Sequence, residues 1–319
     1  MKNKPILIVS GEPNSIFIEI LIKSLKKEKY KSPIVLITSL HLLQEQLKKL
    51  KLKCSYKTIK EQKILLTPLH NDIIYIIDIK YIFKKPFEKI SSKSNTFISK
   101  SFDTAIKLIK LGFTNKFING PISKKYFLNN KFLGITEYLA KKTRSNNHAM
   151  LIYNKELSVS PLTTHLPIKL VSKKINKKDI IKKIMLLDNF YKKQLNKSPR
   201  IAILGLNPHC ESKSSFNEDI KILKPASKFL KKKINIIGPI SADTAFLKKN
   251  RNKFDLIVGM YHDQVLTPIK TLYEYNAINI TVGLPFLRVS PDHGPNENMI
   301  GKNLSNPQSL IECLKFLDF

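Results

Sequence analysis

Four histidines share one sequence setting. His165 follows Val159-Ser-Pro-Leu-Thr-Thr164, His209 follows Ile201-Ala-Ile-Leu-Gly-Leu-Asn-Pro208, His262 follows Leu256-Ile-Val-Gly-Met-Tyr261, and His293 comes shortly after Ile280-Thr-Val-Gly-Leu-Pro285. Each lies just past an apolar, strand-like run, and parallel α/β sheets gather their ligands at the carboxyl ends of strands. Three neutral imidazoles meeting there would hold a divalent metal and leave positions open for substrate. The bland alternative is a set of hydrogen-bonded loop histidines, because gaps of 44 and 53 residues match no local metal motif. Other chemistry lacks its signatures. Gly11-Glu-Pro-Asn-Ser-Ile16 is no GxGxxG, no GxxxxGK[ST] occurs, and there is no serine-hydrolase elbow. Cys210, beside His209, reads as a small buried neighbour.

These histidines need strands and helices to carry them. Pro5–Ser10, Pro33–Thr38, Asp72–Ile79 and, after Lys116–Gly120, stretches near 149–153, 200–206, 254–260 and 278–283 are apolar runs of strand length. Helical spacing marks 14–28, Ser101–Leu111, 177–195, 219–232 and 308–318. The alternation predicts parallel sheets in an α/β fold. The stretch 82–98, rich in Lys, Ser and Pro, reads as an exposed connection.

The 319 residues suffice for two domains with proper cores, at 42% hydrophobic content. No apolar run approaches the ~18 to 20 residues of a membrane span. The apolar run after Met1-Lys-Asn-Lys4 is shorter than the ~7 to 15 residues of a leader's core, and three cysteines without CxxC fit a reducing compartment, so a cytoplasmic chain without membrane partners is expected. The net charge of +32 invites a nucleic-acid reading. Of 56 basic residues, however, only Arg144, Arg200, Arg251 and Arg288 are arginine, and the lysines are dispersed without aromatic interleaving. Abundant Lys, Ile and Asn fit the codons of an AT-rich genome, and no nucleic-acid partner is expected. With only ten glycines in the chain, each is expected where backbone geometry demands it.

Several segments together carry a family resemblance. Asn119-Gly-Pro-Ile-Ser-Lys124, Gly134-Ile-Thr-Glu-Tyr138, Leu162-Thr-Thr-His-Leu-Pro167, Gly205-Leu-Asn-Pro-His209, Gly238-Pro-Ile-Ser-Ala-Asp-Thr244, Met260-Tyr-His-Asp-Gln264 and Asn279-Ile-Thr-Val-Gly-Leu-Pro-Phe-Leu-Arg288 with Asp292-His-Gly294 fall in the family's order. The chain thus resembles the 4-hydroxythreonine-4-phosphate dehydrogenases of pyridoxal phosphate biosynthesis from about residue 5 to its end. The resemblance implies metal ligands at His165, His209 and His262. It implies substrate contacts at Thr136, Lys270, Asn279 and Arg288, with cations suited to a phosphate ester. Asp243 and Asp263 become partners that orient a ligand or accept a proton, or structural acids. His293-Gly294 matches a segment that binds NAD or NADP without a GxGxxG.

The implied fold is that of isocitrate and isopropylmalate dehydrogenases, two α/β/α lobes with a cleft between them. Residues 1–130 with about 276–319 would form one lobe and 131–275 the other. The implied assembly is a homodimer with shared active sites. The implied reaction is the NAD(P)-dependent oxidation of 4-phosphooxy-L-threonine, a small phosphorylated hydroxy amino acid, assisted by one zinc, magnesium or cobalt ion per site. Its product, 2-amino-3-oxo-4-phosphooxybutanoate, loses CO2 to give 3-amino-2-oxopropyl phosphate.

The chain also departs from the family pattern. Asn14-Ser-Ile-Phe17 replaces a glycine-rich turn, Ile135 a histidine, Val265 a glycine, Pro295 a threonine, and Ser212-Lys-Ser-Ser-Phe216 a glycine-rich stretch. Ile135 keeps open a dehydrogenase of another four-carbon phosphorylated hydroxy acid, such as threonate 4-phosphate. A reading of another class is a basic nucleic-acid-binding or non-catalytic protein on the same fold.

Overall fold

The structure is a computed structural model that describes residues 3–129, 131–211 and 216–319. The chain divides into two compact units, Met1–Leu139 with Pro285–Phe319, and Ala140–Leu284. The divisions fall at 139/140 and 284/285, about ten residues after the boundaries near 130 and 275 that the resemblance implies.

The first unit begins with β1 (Ile6–Val9), α1 (Phe17–Lys27), β2 (Ile34–Thr38), α2 (Leu40–Leu50), β3 (Tyr56–Thr58), β4 (Ile74–Asp78), α3 (Asn95–Lys110), β5 (Lys116–Asn119) and α4 (Ile135–Lys142), within which the division falls. The second unit holds β6 (Ala149–Tyr153), β7 (Ser158–Thr163), α5 (Lys177–Gln194), β8 (Ile201–Leu204), α6 (Lys224–Lys231), β9 (Ile236–Ile240), β10 (Leu256–Tyr261), α7 (His262–Tyr273) and β11 (Ile278–Val282). The chain then returns to the first unit with β12 (Leu287–Pro291) and α8 (Gln308–Leu317).

In the first unit the strand order is β3-β4-β2-β1-β5-β12, with every pair parallel. Ile6-Leu-Ile-Val9 is wholly buried, as a parallel strand covered on both faces requires. α3 packs on β1 and β2, and α1 packs on α2 and α8. Ser39 caps α2 by accepting the Leu42 amide at 3.4 Å.

In the second unit the order is β11-β6-β7-β10-β8-β9. Here the expectation of purely parallel pairing needs correction, because β6 runs antiparallel to both β7 and β11. Only four residues, Asn154–Leu157, separate β6 from β7, too few for a helical crossover. The β7-β10-β8-β9 part is parallel.

Helix α3 starts at Asn95, so the exposed connection ends earlier than expected; Phe97 and Ile98 are buried in the core. The expected helix over 219–232 is split into a π-helical turn, Asp219–Leu223, and α6, with Pro225 in its first turn. Among the described residues no helix is long and apolar enough to cross a membrane.

Asp255, buried just before β10, anchors the amino-terminal edge of the second sheet. Its carboxylate accepts from Arg200 Nε at 3.1 Å, Arg200 Nη2 at 3.0 Å, the Arg200 amide at 2.8 Å and Lys197 Nζ at 2.8 Å. Burial alone would raise this carboxyl, but the donors from Arg200 and Lys197 outweigh it and hold it well below the usual carboxylate range. Asp255→Asn should cost about 2 kcal/mol at pH 7, the low side for a broken buried pair because both cations are half exposed. The unfolded carboxyl takes up its proton first, so this stability is complete above pH ~4 and is lost as pH falls below it. Urea unfolding between pH 3 and 6 should show the wild-type advantage shrinking toward the acid end.

Candidate active site

Parallel pairing decides where the histidines emerge. β10 lies between β7 and β8, with Tyr261 opposite Thr163 and Val258 opposite both Ser160 and Ile203. The three strands therefore end on one edge. His165 stands two residues beyond β7, His262 directly after β10 as the first residue of α7, and His209 five residues beyond β8. The rings of His165 and His262 are neighbours, with centroids 5.7 Å apart. His262 Nδ1 lies 2.7 Å from Asp263 Oδ1, which leaves Nε2 as the nitrogen able to hold a ligand, the arrangement in which a carboxylate can orient an imidazole toward a metal. His165 and His209 both have φ of 54°, a left-handed conformation uncommon outside glycine.

The donor type, the common edge and the oriented His262 fit a divalent ion. The side chains of all three histidines do not close on one point, however. His209 is exposed, and among the described residues no group of three or more His, Cys, Asp or Glu is placed to hold a metal. Cys210 is buried and burial pushes its thiol up, so it is the inert neighbour expected. Asp243 is exposed on a one-turn helix, Ala242–Ala245, beyond β9 on the same edge. Lys270 is exposed in the third turn of α7, two turns from His262. Asn279 sits on β11 opposite Ile152, and its Oδ1 is buried without a hydrogen-bond partner.

The first unit builds its own edge from the ends of β1, β5 and β12. Gly11 has φ of 73°, and a Cβ there would lie 2.4 Å from Pro121 O; a Cβ on Gly120 would lie 2.1 Å from Ser10 O. The two turns cross backbone to backbone, which only glycine permits. Arg288 on β12 is 1% exposed and donates from Nε to Asn119 Oδ1 at 2.7 Å, while Asn119 Nδ2 donates to Gly120 O. Burial pushes the guanidinium down to about 10, opposed by Cys313 and Glu137, so it stays charged at neutral pH. Thr136 is buried in the first turn of α4, which Tyr138 anchors among Phe102, Phe127 and Phe132. Half-buried Ile135 precedes it.

His293 follows β12 rather than β11, a correction to its expected strand. Its Nδ1 lies 2.9 Å from Gly294 O. A Cβ on Gly294 would meet nothing within 4 Å, so no contact inside the chain requires glycine there. Of the replaced stretch Ser212–Phe216, residues 212–215 lie outside the described residues.

Comparison with known proteins shows the family. Residues 29–317 match the family model described as pyridoxal phosphate biosynthetic protein PdxA. The chain is 37% identical over 315 residues to a 4-hydroxythreonine-4-phosphate dehydrogenase of Sulfurihydrogenibium sp. (strain YO3AOP1), covering 97% of this chain and 95% of that one. It is 29% identical to a D-threonate 4-phosphate dehydrogenase of Salmonella typhimurium, covering 99% and 98%. The crystal structure of 4-hydroxythreonine-4-phosphate dehydrogenase from Klebsiella pneumoniae superposes with a TM-score of 0.85 at 27% identity, covering 99% and 97%.

Glu12, one residue beyond the Gly11 turn, was not legible as a special group: its only signal was an acid directly after a strand-ending glycine. It is 1% exposed, accepts the Asn14 amide at Oε1 and lies 2.9 Å from Ser94 Oγ at Oε2. Burial pushes its carboxyl up to about 7, against the hydrogen bonds from Asn14 and Ser94. Ser94 Oγ also donates to Ser91 O at 3.0 Å, and one hydroxyl hydrogen cannot serve both oxygens. A protonated Glu12 resolves this by donating to Ser94. The folded carboxyl thus holds its proton above the pH at which the unfolded one releases it, and stability falls as pH rises from ~4.5 through 7. Glu12→Gln keeps a donor and an acceptor without the charge. It should gain on wild type between pH 5 and 8 by on the order of 2 kcal/mol in urea unfolding.

Proposed function

The chain belongs to the PdxA family of pyridoxal phosphate biosynthetic proteins, and from that premise we propose that it oxidises 4-phosphooxy-L-threonine at C3 with NAD or NADP and one divalent ion. The observation that carries the reading is the row of three histidines at the carboxyl ends of β7, β10 and β8, with the middle one held by Asp263. A zinc, magnesium or cobalt ion bound there would act as a Lewis acid on the C3 hydroxyl, whose proton would leave to solvent while the nicotinamide would take up the hydride from C3. His165, His209 and His262 would hold the ion.

The remaining work falls to the other side chains. Arg288, charged although buried, and Lys270 supply cations for the phosphate and carboxylate, and Thr136 adds a hydroxyl. Asn279 offers a buried carboxamide oxygen that lacks a partner, an acceptor that a substrate ammonium or hydroxyl would satisfy. The bare backbone at Gly294 leaves room for a dinucleotide to approach His293 and its loop. The oxidised product is a β-keto acid, whose carbonyl accepts the electrons released with CO2, giving 3-amino-2-oxopropyl phosphate. Two copies of the chain would share residues at each site.

Purified, metal-loaded protein should reduce NAD or NADP with 4-phosphooxythreonine. His262→Ala should lower kcat/KM by at least 100-fold with little change in folding stability; no turnover by wild type, or an active His262→Ala variant, would end this reading. A second substrate is favoured by one feature. Ile135 opens α4 where the family resemblance expects a histidine, so one charge-assisted contact of roughly 1.5 to 3 kcal/mol is missing. If the enzyme is a weakened member acting on the amino acid, Ile135→His should raise kcat/KM for 4-phosphooxythreonine by about 10-fold or more. Wild-type preference for D-threonate 4-phosphate, with no gain in the variant, would assign the chain to that substrate.

A further inference from the structure

The three strand ends are tied together by side chains that carry none of the proposed chemistry. Thr163 Oγ1 donates to Met260 O at 2.7 Å, joining the ends of β7 and β10. The Gln264 carboxamide then bridges onward: Oε1 accepts the Met260 amide at 2.7 Å, and Nε2 donates to Gly205 O at 2.7 Å, at the start of the turn that presents His209. On its other side the same turn is held by the buried carboxylate of Asp219, which accepts the Leu206 amide at 2.7 Å, the Asn207 amide at 3.0 Å and Asn207 Nδ2 at 2.9 Å.

Both backbone stretches that Gln264 spans are kept open by glycine. A Cβ on Gly259 would lie 2.9 Å from Gln264 Oε1 and 2.5 Å from Val265 Cγ1. A Cβ on Gly205 would lie 2.6 Å from Cys210 Sγ and 3.1 Å from Asp219 Oδ1. The turn is therefore clamped between two side chains before it reaches His209.

We propose that Gln264 is a positioning residue, whose carboxamide sets the spacing between the His262 and His209 segments so that both imidazoles can close on one divalent ion. This rests on the metal reading above. Only a group that donates and accepts from one planar end can make both contacts. Glutamate keeps the acceptor but sets a negative oxygen against Gly205 O. Methionine keeps the length and loses both bonds.

The test is binding of Co(II) to the metal-free protein, followed by visible absorption and calorimetry at a temperature where every variant is folded by circular dichroism. Gln264→Glu and Gln264→Met should each weaken Co(II) binding about 10- to 100-fold, the scale of losses when partners behind the ligands are removed. Asp219→Asn, which tests the opposite clamp, should weaken it in the same direction. Wild-type Co(II) affinity in folded Gln264→Met, with only a lower melting temperature, would overturn the inference and leave Gln264 a stabilising contact. If His165→Ala, His209→Ala and His262→Ala also bind Co(II) like wild type, the metal reading itself fails. Loss in the histidine variants without loss in the Gln264 variants sinks the positioning role alone.

Discussion

Parallel pairing of β10 with both β7 and β8 is the constraint on which the candidate site depends. It brings three segments, whose histidines are 44 and 53 residues apart in sequence, out of the sheet at one edge. Adjacent strands are about 4.8 Å apart, so the outer two are separated by roughly 10 Å, with the His262 segment leaving the sheet between them. The register is secured by burial: Leu256 to Met260 and Ile201 to Leu204 are buried without a break, Gly259 included beneath Val265 and Gln264. A slip by one residue would exchange every side chain between the faces of the sheet. The histidines are thus placed by the core.

The edge of the first unit shows what burial does to two opposite charges. Arg288 and Glu12 are each about 1% exposed. Arginine begins so far above neutrality that even a value near 10 leaves it charged, whereas a carboxyl pushed up to about 7 is half neutral at physiological pH. The contrast explains why arginine stands at 288 in a chain so rich in lysine. Lys116 is the one buried lysine among the described residues, and burial pushes its ammonium down. A lysine shifts readily when desolvated, and it lacks the Nε that Asn119 grips beside the terminal nitrogens.

Much of this was legible from residue order. Apolar runs marked β1, β2, β4 and β10 to within two residues because buried parallel strands are apolar on both faces. β3, with Lys57 and Thr58 exposed, carries no such run, and β12 hides behind Arg288, whose charge masks a strand that is buried throughout. The strand-end position of the metal candidates was readable, since it needs only the end of an apolar run and a histidine. The hydrogen bonds that tie those ends were not. Gln264 and Asp219 act on backbone amides and carbonyls of segments 59 and 12 or 13 residues away, and neither spacing nor polarity marks such partners in advance.

The departures from the family pattern differ in what the fold does with them. Val265, where the resemblance expects glycine, is fully buried against the bare backbone of Gly259, so a branched side chain on α7 is matched by a missing one on β10. Pro295 contributes its carbonyl to the Ile16 amide at 3.3 Å, a bond that any residue type can supply. Asn14 replaces glycine with polar atoms that are used: its Oδ1 accepts the Glu88 amide and its Nδ2 donates to the Tyr81 hydroxyl oxygen at 3.4 Å. Each of these changes is absorbed by packing or hydrogen bonding inside one unit. Ile135 is of another kind, because an aliphatic side chain in the first turn of α4 has no atom with which to take over a polar contact. Packing can tolerate it, but no rearrangement of its own rotamers can restore a hydrogen bond. Among the departures described, it is the one for which the fold supplies no substitute hydrogen bond.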